Sequence, residues 1–541
     1  MTAGASRPAW IDKLLEPAAY PHPVGPIKLI ETHISWVFLT GPFAYKVKKA
    51  CKLEFLDFST LDLRRHYCEE EVRLNRRFAP GLYLDAVPIG GTPTAPRVGA
   101  PGVPLEWAVK LVQFDEADRL DIRFEAGRID AADCRRLGVA IADIQAGQPI
   151  ADPASGHGTS ERIRAVIRMN LDEIRHHRPD AAPRADRIGV WLEQRLAGAA
   201  DAFQRRIEEG RIRECHGDLH LANLVLLDGQ PVAFDSIEFN PALRWIDVAS
   251  DIAFLSMDFE SRGRADLAAQ ATSAWMEAAD DPAAAAVLPV HRVARAVVRA
   301  AVAAIRSTQE DCSAETSAAA RNECDRYLDL ASRLATSPPA LLLVTTGVSG
   351  SGKTTLAGEC TGIFQAMRLR SDVERKRLFS MASTERPADD RIARALYSEQ
   401  TTRQVYARLA SLARGLLEAG ASVVIDATCN ARWQRDIFAD VARETGSRLV
   451  WLDIDLPAEV LRERVAARAA LGSDPSDATP DTVLAQLAAR EPITAAELAS
   501  SAILPPPLHV RCGVDDLASP ARFLGSLAPR LRANPFAERP S

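Results

Sequence analysis

The sequence predicts two domains of different fold class, the first α+β and the second α/β. Three β-rich runs between residues 27 and 48, separated by short turns, predict an antiparallel sheet, and the patterns from about 118 to 210 are helical. Beyond residue 340, apolar strands alternate with helical patterns, which is typical of a doubly wound parallel sheet. Ser337-Pro338-Pro339 separates the two regions and resists both helix and central strand.

The domain boundary is therefore placed at these prolines. We predict an N-terminal extension and a first domain, then a linker and a second domain, followed by a disordered tail. Their respective ranges are 1–26, 27–336, 337–340, 341–532 and 533–541.

The composition is that of an ordinary globular protein, with 47% hydrophobic and 26% charged residues. A net charge of -6 gives no electrostatic case for a nucleic-acid partner. No run of 18 apolar residues and no signal-like N-terminus is present, so we expect neither a membrane span nor secretion. The nine cysteines include no C-x-x-C pair, which argues against a zinc site or a disulfide framework and favours the cytoplasm. The oligomeric state is not indicated.

A lysine-bearing strand is followed by an acidic helix. Lys46 and Lys48 share one face of the run 43–48, because strand side chains alternate, and Glu71 lies within the helical pattern 61–78. A strand lysine paired with a helix glutamate fixes the lysine on nucleotide phosphates in kinase-like folds. We predict that Lys46 binds the nucleotide with Glu71 as its partner, and keep Lys48 as the fallback. The alternative is a basic strand end beside a solvated acidic helix.

The segment that decides the first domain begins at His216-Gly217-Asp218. Asn223 follows Asp218 by five residues, and Asp235 comes after a further strand. This spacing matches H-x-D-x-x-x-x-N followed by a metal-binding aspartate. Asp218 could accept the proton of an attacking hydroxyl, whereas Asn223 and Asp235 could hold Mg²⁺. A polar turn is the alternative interpretation.

On these residues the chain resembles the aminoglycoside phosphotransferase and choline kinase family over about 27–310. The resemblance implies a bilobal protein-kinase-like fold that phosphorylates a hydroxyl of a small molecule from ATP. It departs from kinases generally in two places: no G-x-G-x-x-G loop is present, and Ser236-Ile237-Glu238 follows the metal-binding aspartate. A catalytically silent domain therefore stays open as an alternative.

Two further sets of residues are singled out in this domain. Asp247 and Asp251 are predicted to be structural hydrogen-bond acceptors rather than catalysts. Arg295 and Arg299 lie four residues apart on one helical face. They could grip an anionic acceptor, although a solvated helix face is the more ordinary interpretation.

A phosphate-binding loop opens the second domain. The stretch from Gly347 to Thr354 matches G-x-x-x-x-G-K-[ST] between an apolar strand and a helical pattern. The loop backbone would wrap the phosphates, the catalytic Lys353 would reach the β- and γ-phosphates, and the Thr354 hydroxyl would hold Mg²⁺. The nucleotide-binding residues that we assign to this loop are Gly347, Ser349, Gly350, Ser351, Gly352, Lys353, Thr354 and Thr355.

Two aspartates follow other strands of this domain. Asp426 ends an apolar strand and is predicted to be a Walker B metal ligand. Asp372 also falls at the carboxyl end of a strand, where ligands bind in doubly wound sheets.

This half resembles the small P-loop kinases of the gluconate kinase, shikimate kinase and zeta-toxin group. The resemblance implies that Asp372 and Arg375 engage the acceptor, with Asp372 as candidate base. It also implies that lid arginines, here Arg464 and Arg468, cover ATP. Arginines are common on the helices of this chain, so a solvated face is the alternative for the lid pair.

As a whole, the chain resembles bacterial fusions of an aminoglycoside-phosphotransferase-like domain with a P-loop kinase. We predict a bifunctional kinase that uses ATP and Mg²⁺ to phosphorylate hydroxyl groups of small molecules, sugars among them. The alternative is a regulatory or toxin-like P-loop kinase or ATPase with a silent sensor domain. A protein kinase is disfavoured, because the D-F-G and A-P-E elements are not recognisable.

Overall fold

The computed structural model describes residues 7–53, 56–309, 313–336, 338–382, 385–471, 480–499 and 506–532. The chain forms two compact units. The first comprises Met1–Ile129, Asp143–Ser261 and Val290–Ala331, and the second comprises Asp130–Ala142, Arg262–Pro289 and Ser332–Ser541. The tail predicted over 533–541 lies outside the described residues. No helix in the described ranges is long and apolar enough to cross a membrane.

The strands of the described residues, in chain order, are β1 (Lys28–Glu31), β2 (Ser35–Leu39), β3 (Phe43–Lys48), β4 (Lys52–Leu53), β5 (Leu56–Asp57), β6 (Tyr83–Thr92), β7 (Ala95–Val98), β8 (Glu106–Val112), β9 (Ile212–Glu214), β10 (Leu224–Leu227), β11 (Gln230–Ala233), β12 (Trp245–Asp247), β13 (Leu341–Thr346), β14 (Met367–Arg370), β15 (Val423–Asp426), β16 (Arg448–Ile454) and β17 (Leu508–Cys512).

The α-helices are α1 (Ala9–Lys13), α2 (Leu61–Phe78), α3 (Leu120–Glu125), α4 (Ala131–Ala146), α5 (Ser160–His177), α6 (Ala182–Gly198), α7 (Ala200–Glu208), α8 (Pro241–Arg244), α9 (Val248–Ser261), α10 (Ala265–Ala278), α11 (Leu288–Arg306), α12 (Ala314–Ala335), α13 (Lys353–Phe364), α14 (Ser371–Arg377), α15 (Asp390–Leu396), α16 (Glu399–Glu418), α17 (Arg432–Thr445), α18 (Ala458–Leu471), α19 (Pro480–Ala488), α20 (Ala495–Leu498), α21 (Val514–Ala518) and α22 (Pro520–Arg532). Short 3-10 helices cover Pro17–Ala19, Glu116–Asp118, Pro153–Ser155, Pro179–Ala181, Leu221–Asn223 and Pro282–Ala286.

An antiparallel sheet of six strands forms the β-rich part of the first unit, in the order β1-β2-β3-β8-β6-β7. Helix α2 packs on this sheet through apolar side chains such as Val72, which lies in one cluster with Val109 and Leu111. The Thr60 hydroxyl caps α2 by accepting a hydrogen bond from the Leu63 N–H at 3.2 Å. These contacts fix α2 beside the central strand β3, which carries the two lysines.

The helical part of the first unit contains a buried ion pair. Arg206 on α7 donates to Asp247 at the end of β12, with 2.7 Å between Nη2 and Oδ1, and both side chains are at most 2% exposed. Burial raises the pKa of Asp247, but the Arg206 charge outweighs this effect and the net shift is downward. The carboxylate also accepts the Ala249 N–H at 2.8 Å, so it is a structural acceptor as predicted.

The second unit is built on a parallel sheet of five strands, in the order β14-β15-β13-β16-β17. Strand β13, which precedes the glycine-rich loop, lies at its centre and is buried along its whole length. Leucines 341 and 343 pack in one core with Leu356 of α13 and Leu524 of α22. The sequence-based prediction of an α+β domain followed by an α/β domain with a doubly wound sheet is therefore confirmed.

Helix α10 belongs to the second unit although it precedes β13 by more than 60 residues. The Gln270 amide donates to the Gly358 carbonyl at 2.7 Å, and the Ser273 hydroxyl accepts the Arg368 N–H at 2.9 Å. The P-loop unit thus includes a helix that the chain order alone assigns to the first domain. The linker at 337–340 stays a prediction about the chain.

Removing Arg206 should strongly destabilise the first unit. Arg206→Met leaves the Asp247 carboxylate buried without its partner, which typically costs about 3–5 kcal/mol. Arg205→Met is the matched control, because Arg205 lies on the exposed side of the same helix and its loss should cost no more than about 0.5 kcal/mol. Urea unfolding followed by circular dichroism measures both. Equal shifts of the two unfolding curves would contradict this account.

His291 should make the stability of this unit depend on pH. Burial lowers the pKa of His291 from 6.5 to about 4, and its Nε2 lies 4.0 Å from the Asp247 carboxylate. The unfolded chain therefore binds the proton first, so stability is complete above pH 6.5 and is lost as the pH falls towards 4. The loss reaches about 3 kcal/mol. The difference in unfolding free energy between wild type and His291→Gln should change over this range, and a constant difference would contradict the prediction.

Candidate active sites

In the first unit, Lys46 lies between two carboxylates. Its Nζ is 2.9 Å from Glu71 Oε1 on α2, and it also donates to the Asp235 carboxylate. Burial disfavours the ammonium, but Asp235 and Glu71 reverse this effect and hold the pKa of Lys46 above its ordinary value. The structure thus brings three predicted site residues together from a strand, a helix and a loop.

Lys48, the fallback, has a different environment. It is completely buried, with its Nζ 2.6 Å from Glu71 Oε2 and in an ion pair with Glu238. Burial raises the pKa of Glu238, whereas burial of Glu71 is outweighed by the two lysines, which lower its pKa. Lys46 is 12% exposed and reaches Asp235, whereas Lys48 is enclosed. Geometry therefore favours Lys46 as the phosphate-binding lysine.

The carboxylate of Asp251 holds the loop that carries Asp218. Its two carboxylate oxygens accept the backbone N–H groups of His216 and Gly217, each at 2.9 Å. The predicted structural role of Asp251 is confirmed by these two bonds. Burial lowers the pKa of His216, so the ring is neutral. Its Nε2 lies 2.9 Å from the Phe234 carbonyl, which suits a donor there and leaves Nδ1 to accept the Asp218 N–H at 3.3 Å.

Gly217 can only be glycine at this turn. Its φ of 85° lies in the left-handed region, and a Cβ there would lie 2.7 Å from the Leu243 carbonyl oxygen. The close approach of the chain at Leu243 thus requires glycine at position 217. The turn at this glycine orients the side chain of Asp218, the next residue.

Asn223 orients the candidate base. Its Nδ2 donates to the Asp218 carboxylate at 3.0 Å and to the Asp218 carbonyl at 2.9 Å. Burial opposes ionisation of Asp218, but His220, whose Nε2 lies 3.4 Å from the carboxylate, outweighs it and the pKa falls below its ordinary range. Asp218 is therefore an ionised acceptor. Since Nδ2 of Asn223 is used, its Oδ1 is the atom that can face a metal ion.

Asp235 is held in a strained conformation. Its φ is 63°, which is uncommon for a residue other than glycine, and its N–H donates to the Tyr83 hydroxyl at 2.9 Å. The next N–H, of Ser236, donates to Asn75 Oδ1 at 3.0 Å. The carboxylate is 44% exposed. The sheet and α2 together therefore force this carboxylate towards Lys46.

These donors fit a magnesium ion held jointly with a nucleotide. Asn223 and Asp235 offer amide and carboxylate oxygens, the ligands that Mg²⁺ prefers, and Mg²⁺ usually takes only one or two protein ligands beside phosphate oxygens. Across the residues that the structure describes, no group of three or more His, Cys, Asp or Glu side chains could hold a metal ion.

In the second unit, the glycine-rich loop has the backbone that its sequence requires. Glycines 347, 350 and 352 have φ values of 140°, 81° and 98°. A Cβ on Gly350 would lie 2.5 Å from Val465 of α18. The buried Ser351 Oγ has no hydrogen-bond partner within the described part of the chain, and the Ser349 N–H donates to Gln486 at 2.7 Å. An unsatisfied hydroxyl at the loop suits a ligand with acceptor oxygens such as a polyphosphate.

The reactive side chains of this unit converge on Asp426. Lys353 Nζ donates to the Val348 carbonyl of the loop at 2.7 Å, and the Thr354 hydroxyl lies 3.5 Å from Asp426 Oδ1. Thr355 is exposed on the first turn of α13. Burial raises the pKa of Asp426, but Arg368, which forms an ion pair with it, lowers the pKa overall. The Thr354 hydroxyl and the Asp426 carboxylate are oxygen donors that fit Mg²⁺.

Asp372 lies in the first turn of α14, close to these groups. Burial and the negative charge of Asp426 raise its pKa, against the opposing charges of Arg375 and Arg370. The buried Arg375 donates to the Leu396 carbonyl at 2.7 Å and to Thr402 at 3.2 Å. To bind the acceptor as predicted, the Arg375 guanidinium would have to share or release these two hydrogen bonds.

The lid arginines are described in part. Arg464 Nη1 lies 3.6 Å from the position that a Cβ of Gly352 would occupy, so α18 brings this guanidinium to the phosphate-binding loop. Arg468 falls in a stretch of α18 whose side chains are outside the described residues.

Comparisons with known proteins match this description. A family model described as an AAA domain matches residues 342–493. The uncharacterized protein Rv2004c of Mycobacterium tuberculosis is 31% identical over 482 residues, covering 86% of this chain and 90% of the mycobacterial protein. Mb2027c of Mycobacterium bovis matches to the same extent.

The chain belongs to the family of these mycobacterial proteins.

Two solved structures are similar to parts of the chain. A choline/ethanolamine kinase family protein from Mesorhizobium loti is 13% identical, covers 60% of this chain and 99% of its own, and has a TM-score of 0.35. A gluconokinase from Sinorhizobium meliloti is 18% identical, with coverages of 36% and 95% and a TM-score of 0.25. Scores of this size do not define a fold. The strand orders and the glycine-rich loop do, and they confirm the predicted fusion of a kinase-like domain with a P-loop domain.

Several residues of these sites escaped the sequence analysis. Tyr83 and Asn75 fix the backbone at Asp235, and Arg368 neutralises Asp426. The pattern Arg368-Leu-Arg370 on β14 was a possible signal, because alternate residues of a strand share a face and this strand ends beside Asp372. Tyr83 and Asn75 gave no signal, since their contacts depend on tertiary structure.

The turn at Gly217 can be tested against a glycine of similar conformation. Gly229 has a φ of 75°, but apart from its chain neighbours no heavy atom of the described residues lies within 4 Å of its Cβ position. Gly229→Ala should cost about 1 kcal/mol for the left-handed backbone, whereas Gly217→Ala adds the clash with the Leu243 carbonyl and should cost about 2–4 kcal/mol. Thermal unfolding of the two variants measures the difference. Equal melting temperatures would show that the close approach at Gly217 does not constrain the turn.

Proposed function

We propose that the protein is an ATP-dependent phosphotransferase with two active sites, one in each domain, that act on hydroxyl groups of small molecules such as sugars. A kinase-like domain and a P-loop domain in one chain support ATP-dependent phosphoryl transfer in general terms. The proposal that the first domain is catalytic rests on the contact between Asn223 and the Asp218 carboxylate. In the same unit, Lys46 pairs with Glu71.

In the first site, the oxygen of the acceptor hydroxyl forms a bond to the γ-phosphorus. Asp218 accepts the proton of that hydroxyl. The bond from that phosphorus to the ADP oxygen breaks at the same time, and ADP leaves. Asn223 holds the carboxylate of Asp218 in place through Nδ2. Lys46 exchanges part of its pairing with Asp235 for contacts with the nucleotide phosphates. Asn223 and Asp235 would hold Mg²⁺, which would supply neutralisation of charge on the phosphates.

In the second site, the loop N–H groups and Lys353 bind the phosphates, and Arg464 adds charge from α18. Asp372 is the candidate base. Burial raises its pKa, and a carboxylate with a raised pKa is a stronger proton acceptor once ionised. Mg²⁺ held by Thr354 and Asp426 would supply the same charge neutralisation as in the first site.

Two substitutions separate the sites. Asp218→Asn keeps the shape of the side chain but cannot accept the proton, and Lys353→Met removes the phosphate contact of the loop. With γ-labelled ATP and a panel of sugars, amino sugars, polyols and nucleotide sugars, each variant should lower transfer to its own acceptor by about 10²–10⁴-fold. Asp228→Asn, in the exposed turn before β11, is the matched control for the first substitution and should leave both activities unchanged.

The same assay distinguishes this proposal from the alternative of a silent kinase-like domain. If Lys353→Met abolishes all transfer and Asp218→Asn has no effect on any acceptor, the first domain is a regulatory or binding module and the proposal of two active sites is wrong.

A further inference from the structure

A series of side-chain contacts connects Arg295 on helix α11 with the candidate base, Asp218. His220 Nε2 lies 3.4 Å from Asp218 Oδ2, and the His220 ring meets the buried Phe254 ring with 5.5 Å between centroids. On Phe254 lies the guanidinium of Arg295, 4.8 Å from the ring centroid. Arg295 is therefore fixed on an aromatic platform next to the catalytic loop.

Arg295 forms no ion pair with a carboxylate of the described residues. Among the residues that the structure describes, no ion pair or hydrogen bond of its side chain is found, and its only direct contact of this kind is with the Phe254 ring. Burial lowers the pKa of Arg295, while Asp251 and Asp218 oppose this shift. Guanidinium groups nonetheless keep their charge in proteins. A charged group is thus held beside the site, and no described carboxylate forms an ion pair with it.

Arg299 lies one helical turn further along the same face. Its Nη2 is 3.5 Å from Glu323, a long contact, and its guanidinium lies 5.5 Å from the Tyr327 ring centroid. Glu323 is also in an ion pair with Arg306, so its charge is shared between two arginines. Asp251 already accepts two backbone N–H groups. Arg299 therefore shares the charge of Glu323 with Arg306, and Asp251 and Asp218 act on Arg295 through their charges without forming an ion pair with it among the described residues.

We propose that Arg295 and Arg299 form an anion-binding subsite beside Asp218, so that the acceptor phosphorylated by the first domain is an alcohol that carries a phosphate or a carboxylate group. This inference rests on the proposed function of Asp218. Arginine forks bind such groups through two parallel charge-assisted hydrogen bonds. Held there, the anionic group would direct a hydroxyl of the same molecule towards the Asp218 carboxylate.

Binding can be measured without turnover. The full chain carries Lys353→Met, which removes the phosphate contact of the P-loop, and is saturated with AMP-PNP and Mg²⁺. Isothermal titration calorimetry then compares glucose 6-phosphate and gluconate with glucose and glucosamine. At least one of the two anionic sugars should bind about tenfold or more tightly than glucose, and glucosamine should bind most weakly.

Substitutions of Arg295 assign that preference to the subsite. Arg295→Gln should weaken binding of the anionic sugar by about tenfold or more, and leave the affinity for AMP-PNP unchanged. Arg295→Lys, which retains the charge on a similar stem, should keep the preference for the anionic sugar even if the affinity falls. Arg321→Gln is the matched control, because Arg321 is exposed on the neighbouring helix α12. It should bind all probes as the parent does.

Three results would overturn the inference: equal affinity for charged and neutral sugars, no binding of either anionic sugar, or a loss on Arg295→Gln that affects AMP-PNP instead of the sugar. The transfer assay separates this inference from the proposed function. Binding of anionic sugars that depends on Arg295, without any transfer that depends on Asp218, would retain the subsite and reject the catalytic role. Transfer that depends on Asp218 but shows no preference for charged acceptors would retain the catalytic role of Asp218 and reject the anion-binding subsite.

Discussion

The first domain depends on the buried carboxylate of Glu71. This side chain is completely enclosed and meets a lysine at each oxygen, Lys46 at 2.9 Å and Lys48 at 2.6 Å. An isolated buried carboxylate is too costly to keep ionised, so α2 must stay where both lysines of β3 can reach it. The lysines in turn draw Asp235 and Glu238 to the sheet. One ion network therefore joins the strand, the helix and the segment after β11, and it holds Lys46 and Asp235 in contact with each other.

The second domain compensates its charges in a comparable way. Asp426 is buried beside Arg368, and it lies close enough to Asp372 to raise the pKa of that carboxyl. Lys353 meanwhile donates to a carbonyl of its own loop. In both domains the groups expected to contact phosphate and metal are thus paired with protein groups. When the nucleotide binds, each of these groups would exchange its protein partner for a ligand group that matches that partner in charge. No buried charge would then be left alone at any stage.

The sequence predicted those parts of the molecule that depend on local order. The phosphate-binding loop lies between a strand and a helix, and β3 carries its lysines on one face, because both features follow from short patterns. The local pattern favoured Lys46 over Lys48, but the contact that distinguishes the two lysines, with Asp235, joins residues 189 positions apart and could not be predicted from local order. Helix α10 was missed for the same reason: its contacts with Gly358 and Arg368 depend on packing and not on chain order. The functional roles of the predicted site residues in both domains stay predictions.

The central claim is that the chain has two independent nucleotide sites, and the stoichiometry of nucleotide binding tests it most directly. Isothermal titration calorimetry of the full chain with AMP-PNP and Mg²⁺ should give about two sites per chain, and Lys46→Met and Lys353→Met should each remove a different one. A single site that is lost in Lys353→Met and unchanged in Lys46→Met would contradict the account. In that case the ion network around Glu71 would serve the fold of the first domain and not the binding of a nucleotide.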